Sequence, residues 1–248
     1  MLVDVHAHMD QYKDQNKIDD VVKKAKENKF VSIISNGIDL ESNKKVLELS
    51  KKYPIIKPAL GFYPAVIDKS SEGKIKETLK FIEENESIAV GEVGLDLHYG
   101  KKLEKQKEVL SKLIKIANKK DIPVIVHSRK AEKETVEFLE QEKPKKVLLH
   151  CFSGNAELTK KAVEEGWMFS IPTSIVRNKT FKKLAKRVPL SQILTETDAP
   201  FLSPYEDNKI NEPSFIKESI KKIAEVKGIT EEELEKAIYE NYQKFFKH

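Results

Sequence analysis

With 248 residues, 39% of them apolar and 34% charged, the chain has material for one large domain with a buried core, and wholesale disorder is excluded. Its 45 basic and 40 acidic residues leave a modest net charge of +5, which weakly favours an anionic partner, most lysines and glutamates being expected simply to solvate helices. A single cysteine excludes an intramolecular disulfide framework, and Asp4, His6 and His8 break the first apolar run too early for a leader or a membrane span, so a cytoplasmic chain with no membrane partner is expected.

The first β-rich run, LVDVH (2–6), ends on His6 and is followed two positions later by His8. Ile18, Val21, Val22 and Ala25 recur at helical spacing and predict the helix that follows it. FVSIIS (30–35), IIKPAL (55–60) and SIAVGEV (87–93) are the next three strands, and the stripe Leu110, Leu113, Ile114 and Ala117 predicts a helix before PVIVH (123–127). KVLLHC (146–151), WMFSI (167–171) and QILTE (192–196) bring the strands to eight. PYEDNKINEP (204–213) reads as a long loop, and the tail beyond it, with Ile216, Ile220 and Ile223 on one stripe, as helix. Eight strand-then-helix repeats in a single domain over 1–248 predict an α/β fold, the (β/α)8 TIM barrel. An open doubly wound sheet is the alternative, disfavoured because no glycine-rich phosphate loop follows the first strand.

At the C-terminal ends of these strands stand His6 and His8, Glu92, His127, His150 and Asp198. In such a barrel those ends converge on one face, where sites are built, so residues far apart in sequence are expected in one pocket. Singly, each has a bland reading as a core histidine or a helix-capping carboxylate. Jointly, they take four of the six histidines and leave only His98 and His248 outside. Six donors exceed the need of one tetrahedral ion, so the economical arrangement is two divalent cations about 3.5–4 Å apart. His6 and His8, on the same face of an extended segment, can share one of them.

These residues lie within VDVHAHMD, GEVGLDLHY (91–99), IPVIVHSRKA (122–131), LHCFSG (149–154), TETDAPFLSP (195–204) and NEP (211–213), which together resemble the TatD family of metal-dependent deoxyribonucleases within the amidohydrolase-like barrels. The resemblance implies that His6, His8 and Asp198 hold one cation, that His127 and His150 hold the other, and that Glu92 bridges them. It further implies hydrolysis of DNA phosphodiesters of the 3′–5′ exonuclease type, on single strands or strand ends without sequence specificity, aided by Mg or Mn. The mixed nitrogen and oxygen donors also suit Zn, Fe or Co as the bound metal. Two stretches depart from the family pattern. GFYP (61–64) carries Tyr63 where the family usually has a histidine, and FSIPTSIVRN (169–178) lacks the usual glycines. Tyr63 is open between stacking on a base, donating to a phosphate, and packing.

The expected roles follow. Catalysis is assigned to Asp198 and Glu92, with Asp198 taking a proton from a water activated between the cations. Arg129 is either a phosphate clamp or the partner of an acidic neighbour, and Ser153 with Gly154 is a source of donors to phosphate. Asp96 and Glu196 are expected to fix histidine tautomers. Cys151 is expected on the opposite face of its strand from His150, and Trp167 in the core. Basic clusters occur at Lys101 and Lys102, at Lys143, Lys145 and Lys146, and at Arg177, Lys179, Lys182 and Lys183, and those near the C-terminal face, including 101–102 and 177–179, are candidates for a phosphate track. A monomer or small oligomer is expected. The rival readings are a metal-dependent hydrolase of amide, lactone or ester carbonyls, aminoacyl esters on RNA included, and a nucleic-acid-binding protein with idle metals.

Overall fold

All eight β-rich runs become strands, and all eight are parallel. A computed structural model describes residues 1–207 and 210–246. The strands are β1 (Leu2–Ala7), β2 (Phe30–Asn36), β3 (Ile56–Leu60), β4 (Ala89–Asp96), β5 (Val124–Arg129), β6 (Val147–His150), β7 (Met168–Pro172) and β8 (Ile193–Glu196). They pair in sequence order, so each strand's chain neighbours are also its sheet neighbours. Around them lie α1 (Gln15–Glu27), α2 (Leu40–Lys52), the short α3 (Pro64–Ile67), α4 (Glu72–Glu84), α5 (Leu103–Lys120), α6 (Glu132–Glu142), α7 (Ala156–Glu164), α8 (Lys179–Arg187), α9 (Ile216–Lys227) and α10 (Glu231–Phe246). This is the expected (β/α)8 barrel. Of the loop expected over 204–213, residues 208 and 209 lie outside the described residues, as does His248.

The helices form where the stripes predicted. Ile18, Val21, Val22 and Ala25 are the buried face of α1, and Leu110, Leu113, Ile114 and Ala117 lie in that of α5. Helix starts are set by short polar side chains. Asp14 accepts from the Lys17 amide at 2.8 Å, Asp39 from Ser42 at 2.8 Å and Asn155 from Leu158 at 2.9 Å. Each satisfies an N–H that the first helical turn leaves unpaired. Trp167 is buried in the core, as expected.

Closure brings the first strand to the last. The Asp198 amide donates to the His6 carbonyl at 2.9 Å, and the His8 amide to the Ala199 carbonyl at 2.7 Å. Beneath them the buried Asp4 carboxylate accepts from the Thr197 amide at 3.0 Å and from the Thr197 hydroxyl at 2.5 Å, and Thr195 Oγ1 donates to the Val3 carbonyl at 3.0 Å. Burial raises the Asp4 pKa to about 8 against these bonds from Thr197 and one from the His6 amide. No helix among the described residues is long and apolar enough to cross a membrane.

Candidate metal centre

Two facts of strand geometry assemble the site. Alternation along β1 turns Asp4, His6 and the following His8 to the same side, and the strand ends of a closed barrel share one rim. Glycines then permit close approach. A Cβ on Gly61 would stand 2.2 Å from the Glu92 nitrogen, and Gly94, at φ +142°, would carry one 2.0 Å from the His127 carbonyl oxygen. Only a residue without a side chain lets β3 and β5 crowd β4 in this way.

The structure brings all six expected donors together. His6 Nε2 lies 3.3 Å from His8 Nε2, and Asp198 Oδ1 lies 3.5 Å from the first and 3.4 Å from the second. Glu92 Oε2 completes this group, 3.3 Å from His8 Nε2 and 3.7 Å from His6 Nε2. The other carboxylate oxygen turns away from it. Glu92 Oε1 lies 2.8 Å from His127 Nδ1 and 3.3 Å from His150 Nε2, and those nitrogens are 3.4 Å apart. A tetrahedron with bonds of about 2.1 Å has edges of about 3.4 Å, so both groups have the spacing and the N/O chemistry that fit a divalent cation. Three overlapping groups have ligand atoms close enough to hold a metal: His6, His8 and Asp198; Glu92, His127 and His150; and His6, His150 and Glu196.

Three rings are fixed through their second nitrogen. His8 Nδ1 is 2.9 Å from the Asn36 carbonyl, His127 Nε2 is 2.9 Å from Asp96 Oδ2, and His150 Nδ1 is 3.2 Å from Glu196 Oε2. Asp96 and Glu196 therefore occupy the orienting positions that the sequence suggested for them. His6 Nδ1 and Glu196 Oε1 are buried with no hydrogen-bond partner among the described residues. Unpaired buried polar atoms cost stability, which argues against a cluster present only to hold the barrel together.

The electrostatics follow from this crowding. Burial would raise the Glu92 pKa, but hydrogen bonds from His127, His150 and His8 outweigh it and hold the carboxyl well below its usual range. Burial likewise opposes charge on the imidazoles, yet Asp198 and Glu92 raise His8, Glu196 raises His150, and Asp96 with Glu92 raises His127. His6 goes the other way, depressed by burial and by the neighbouring His150. His8, His127 and His150, held among carboxylates in one buried place, thus keep protons that a cation would displace.

The expected substrate residues fare differently. Arg129 is exposed at the cavity mouth, its guanidinium 4.8 Å from the centre of the Tyr99 ring, with no ion-paired carboxylate among the described residues. Ser153 is also at the mouth, but its hydroxyl donates to Glu132 at 2.5 Å. The Tyr63 hydroxyl is committed to Asp96 Oδ2 at 2.6 Å, where burial and the adjacent carboxylate raise its pKa. Tyr63 thus braces the partner of His127. Cys151 corrects an expectation. It lines the metal cavity instead of facing away from His150, because it stands past the last residue of β6 at φ +49°, where strand alternation no longer applies.

Several contributors were not singled out as site residues. Asp4 stands two residues before His6, and that spacing alone could have flagged an inward carboxylate. The side-chain amide of Asn211 donates to the Thr197 carbonyl at 2.7 Å, the Phe201 carbonyl at 2.6 Å and Thr173 Oγ1 at 3.0 Å, pinning the loop that carries Asp198. The cavity over the cluster has a volume of about 1040 Å³, and Tyr99, Arg177, Lys179 and Phe201 stand in its wall.

Comparison with known proteins agrees with this picture. Residues 3–247 match the family model described as TatD related DNase. The chain is 36% identical over 260 residues to deoxyribonuclease TATDN3 of Homo sapiens, covering 99% of this chain and 94% of that protein. It is 33% identical over 247 residues to a metal-dependent hydrolase of Methanocaldococcus jannaschii, covering 99% and 96%. Among solved structures, a TatD homologue from Escherichia coli superposes with a TM-score of 0.91 at 26% identity, over 100% of this chain and 98% of the other.

Proposed function

The chain belongs to the TatD-related DNase family of metal-dependent hydrolases, and we propose that it is a cytoplasmic deoxyribonuclease that removes nucleotides from the 3′ end of single-stranded DNA with the help of two divalent cations. The observation that carries the two-cation part is the division of Glu92, one oxygen toward His6 and His8 and the other toward His127 and His150. His6, His8 and Asp198 would hold one cation, His127 and His150 the other, with Glu92 shared between them. When bound, such cations supply Lewis acidity, neutralising charge on phosphate oxygens and lowering the pKa of water at the site. Mg or Mn is the expected activating ion.

The chain's own groups do the rest. Asp198, with its side chain 16% exposed toward the cavity, orients the attacking water and accepts its proton. Oxygen attacks phosphorus, the bond to the leaving oxygen breaks, and the proton held by Asp198 passes to that oxygen. Arg129, free of a carboxylate partner and two residues from His127, reaches for nonbridging phosphate oxygens, as do Arg177 and Lys179 from the wall beyond β7. These cations favour a phosphodiester chain over a neutral ester. Their contacts are to backbone phosphate, so binding without sequence preference is expected.

The test is cleavage of end-labelled single-stranded DNA with added Mg or Mn, compared with EDTA and with Asp198→Asn. A ladder shortening from the 3′ end, abolished by EDTA and slowed about 10²-fold or more by the substitution, is the expected result. Intact DNA with a folded, metal-loaded protein would overturn it and direct attention to carbonyl esters.

A further inference from the structure

Four large hydrophobic side chains are markedly exposed among the described residues, and two of them, Tyr99 at 58% and Phe201 at 53%, stand at the mouth of the metal cavity. They come from opposite sides. Tyr99 follows β4 and Phe201 follows β8, strands four places apart in an eight-stranded barrel. Each is tied to the centre through its backbone. The Tyr99 amide donates to Asp96 Oδ1 at 2.7 Å, on the carboxylate that holds His127, and the Phe201 amide donates to the Asp198 carbonyl at 2.8 Å. The Phe201 ring centre lies 5.9 Å from that of His8.

One arginine lies over the Tyr99 ring, and another is tied to the chain just past Phe201. The Arg129 guanidinium lies over Tyr99, and Arg177 Nη2 donates to the carbonyl of Ser203, two residues beyond Phe201, at 2.7 Å. Neither arginine has an ion-paired carboxylate among the described residues, so both charges are available to an anionic ligand. Exposed rings on two sides of the proposed hydrolytic centre, with two arginines in the same cavity wall, suit a nucleic-acid strand, in which base and phosphate alternate.

We propose that Tyr99 and Phe201 are base-stacking residues that grip the two nucleotides flanking the scissile phosphate, each base on a ring and each neighbouring phosphate on Arg129 or Arg177. This rests on the nucleic-acid reading above and narrows it to strands with unpaired bases, since a base held in a duplex offers no free face to a ring. Such stacking tolerates any base, because every base has a π-face. Specificity for sequence is not gained; specificity for a base-bearing, unpaired end is.

The experiment pairs a binding readout with a kinetic one. Binding to the metal-loaded protein is followed with a nuclease-resistant phosphorothioate oligonucleotide carrying 2-aminopurine in its last two positions, whose fluorescence falls when it stacks. Cleavage is followed on ordinary oligonucleotides whose last two bases are present or replaced by abasic residues. Quenching is expected with the wild type. Tyr99→Leu and Phe201→Leu should each weaken binding and raise KM by about 5- to 150-fold, the range for loss of one base–aromatic stack, while Tyr99→Phe stays close to wild type. On abasic ends most of each penalty should disappear. Equal penalties with and without bases, or no quenching by the wild type, would overturn the proposal. Normal cleavage without any aromatic penalty leaves the nuclease standing and removes the stacking role. Quenching and its loss in the variants, with no phosphodiester cleaved, does the reverse.

Discussion

His127 is gripped on both ring nitrogens by carboxylates of one strand, Nδ1 by Glu92 at 2.8 Å and Nε2 by Asp96 at 2.9 Å. Asp96→Asn removes the charge behind the ring while the Gln106 side chain still holds the backbone N–H and C=O of residue 96, and metal affinity of the His127 cluster should fall about 10- to 100-fold, read by titration against a competing chelator. Unchanged affinity would show that Asp96 does not act through the ring. Protons compete at the same atoms. His8, His127 and His150 have raised pKa values in the metal-free protein, so each keeps its proton to higher pH than a free histidine of pKa 6.5 and must release it before binding a cation. Metal affinity should therefore climb steeply as pH rises through and beyond 6.5, and a flat profile there would contradict the proton count. At this scale the sequence was informative wherever a residue's role depends on its own chemistry: His6, His8, Glu92, His127, His150 and Asp198 declared themselves by type and by position at strand ends. It misplaced Cys151 and left Tyr63 and Ser153 as candidate substrate contacts, because their parts depend on where a neighbouring oxygen lies or on one left-handed backbone angle.

Helices tell the solvated faces from the rest. Lysines of several helices meet an acid one turn away, as in Lys44 with Glu41, Lys112 with Glu108 and Lys160 with Glu164. Helix α8 differs. Its sequence KTFKKLAKR holds no acid, and Lys179, Lys182, Lys183, Lys186 and Arg187 have no ion-pair partner among the described residues. Since its first turn opens on the cavity, alanine at Lys182, Lys183 and Lys186 should weaken single-stranded DNA binding and flatten its dependence on log salt by about 0.7 for each phosphate no longer neutralised. The same slope in the variant would place the strand elsewhere. Lys145 and Lys146 are instead occupied with Asp121, away from the strand ends that bear the donors. Loops were the least legible elements. Asn211 acts by donating to main-chain carbonyls, which no side-chain pattern announces. Asn211→Ala orphans those carbonyls, and a loss of about 1–3 kcal/mol is expected in urea unfolding, with weaker metal binding at Asp198. Stability within error of wild type would remove this role.

For the molecule as a whole, the alternation of β-runs and stripes sufficed for the barrel, because eight parallel strands with returning helices leave few other ways to bury both faces of a sheet. The closing seam was not legible, since it depends on side chains such as Asp4 and Thr197 meeting across 193 positions. Cations held at these clusters would add stability to the assembled form only. At a concentration of about 100 times Kd a cation contributes about 2.7 kcal/mol, which for a chain of this size raises Tm by about 5–10 °C. A Tm indifferent to chelator would mean that no resident cation is held. The two clusters differ in what they require of the chain. Glu92, His127 and His150 come from the three consecutive strands β4, β5 and β6, whereas His6, His8 and Asp198 join the first strand end to the last. The second cluster is thus assembled only when synthesis has passed residue 198 and the seam has shut. A nascent chain stalled just short of that residue already carries His6 and His8 but lacks Asp198 and the seam that brings it to them, so this cluster is withheld until the molecule is whole.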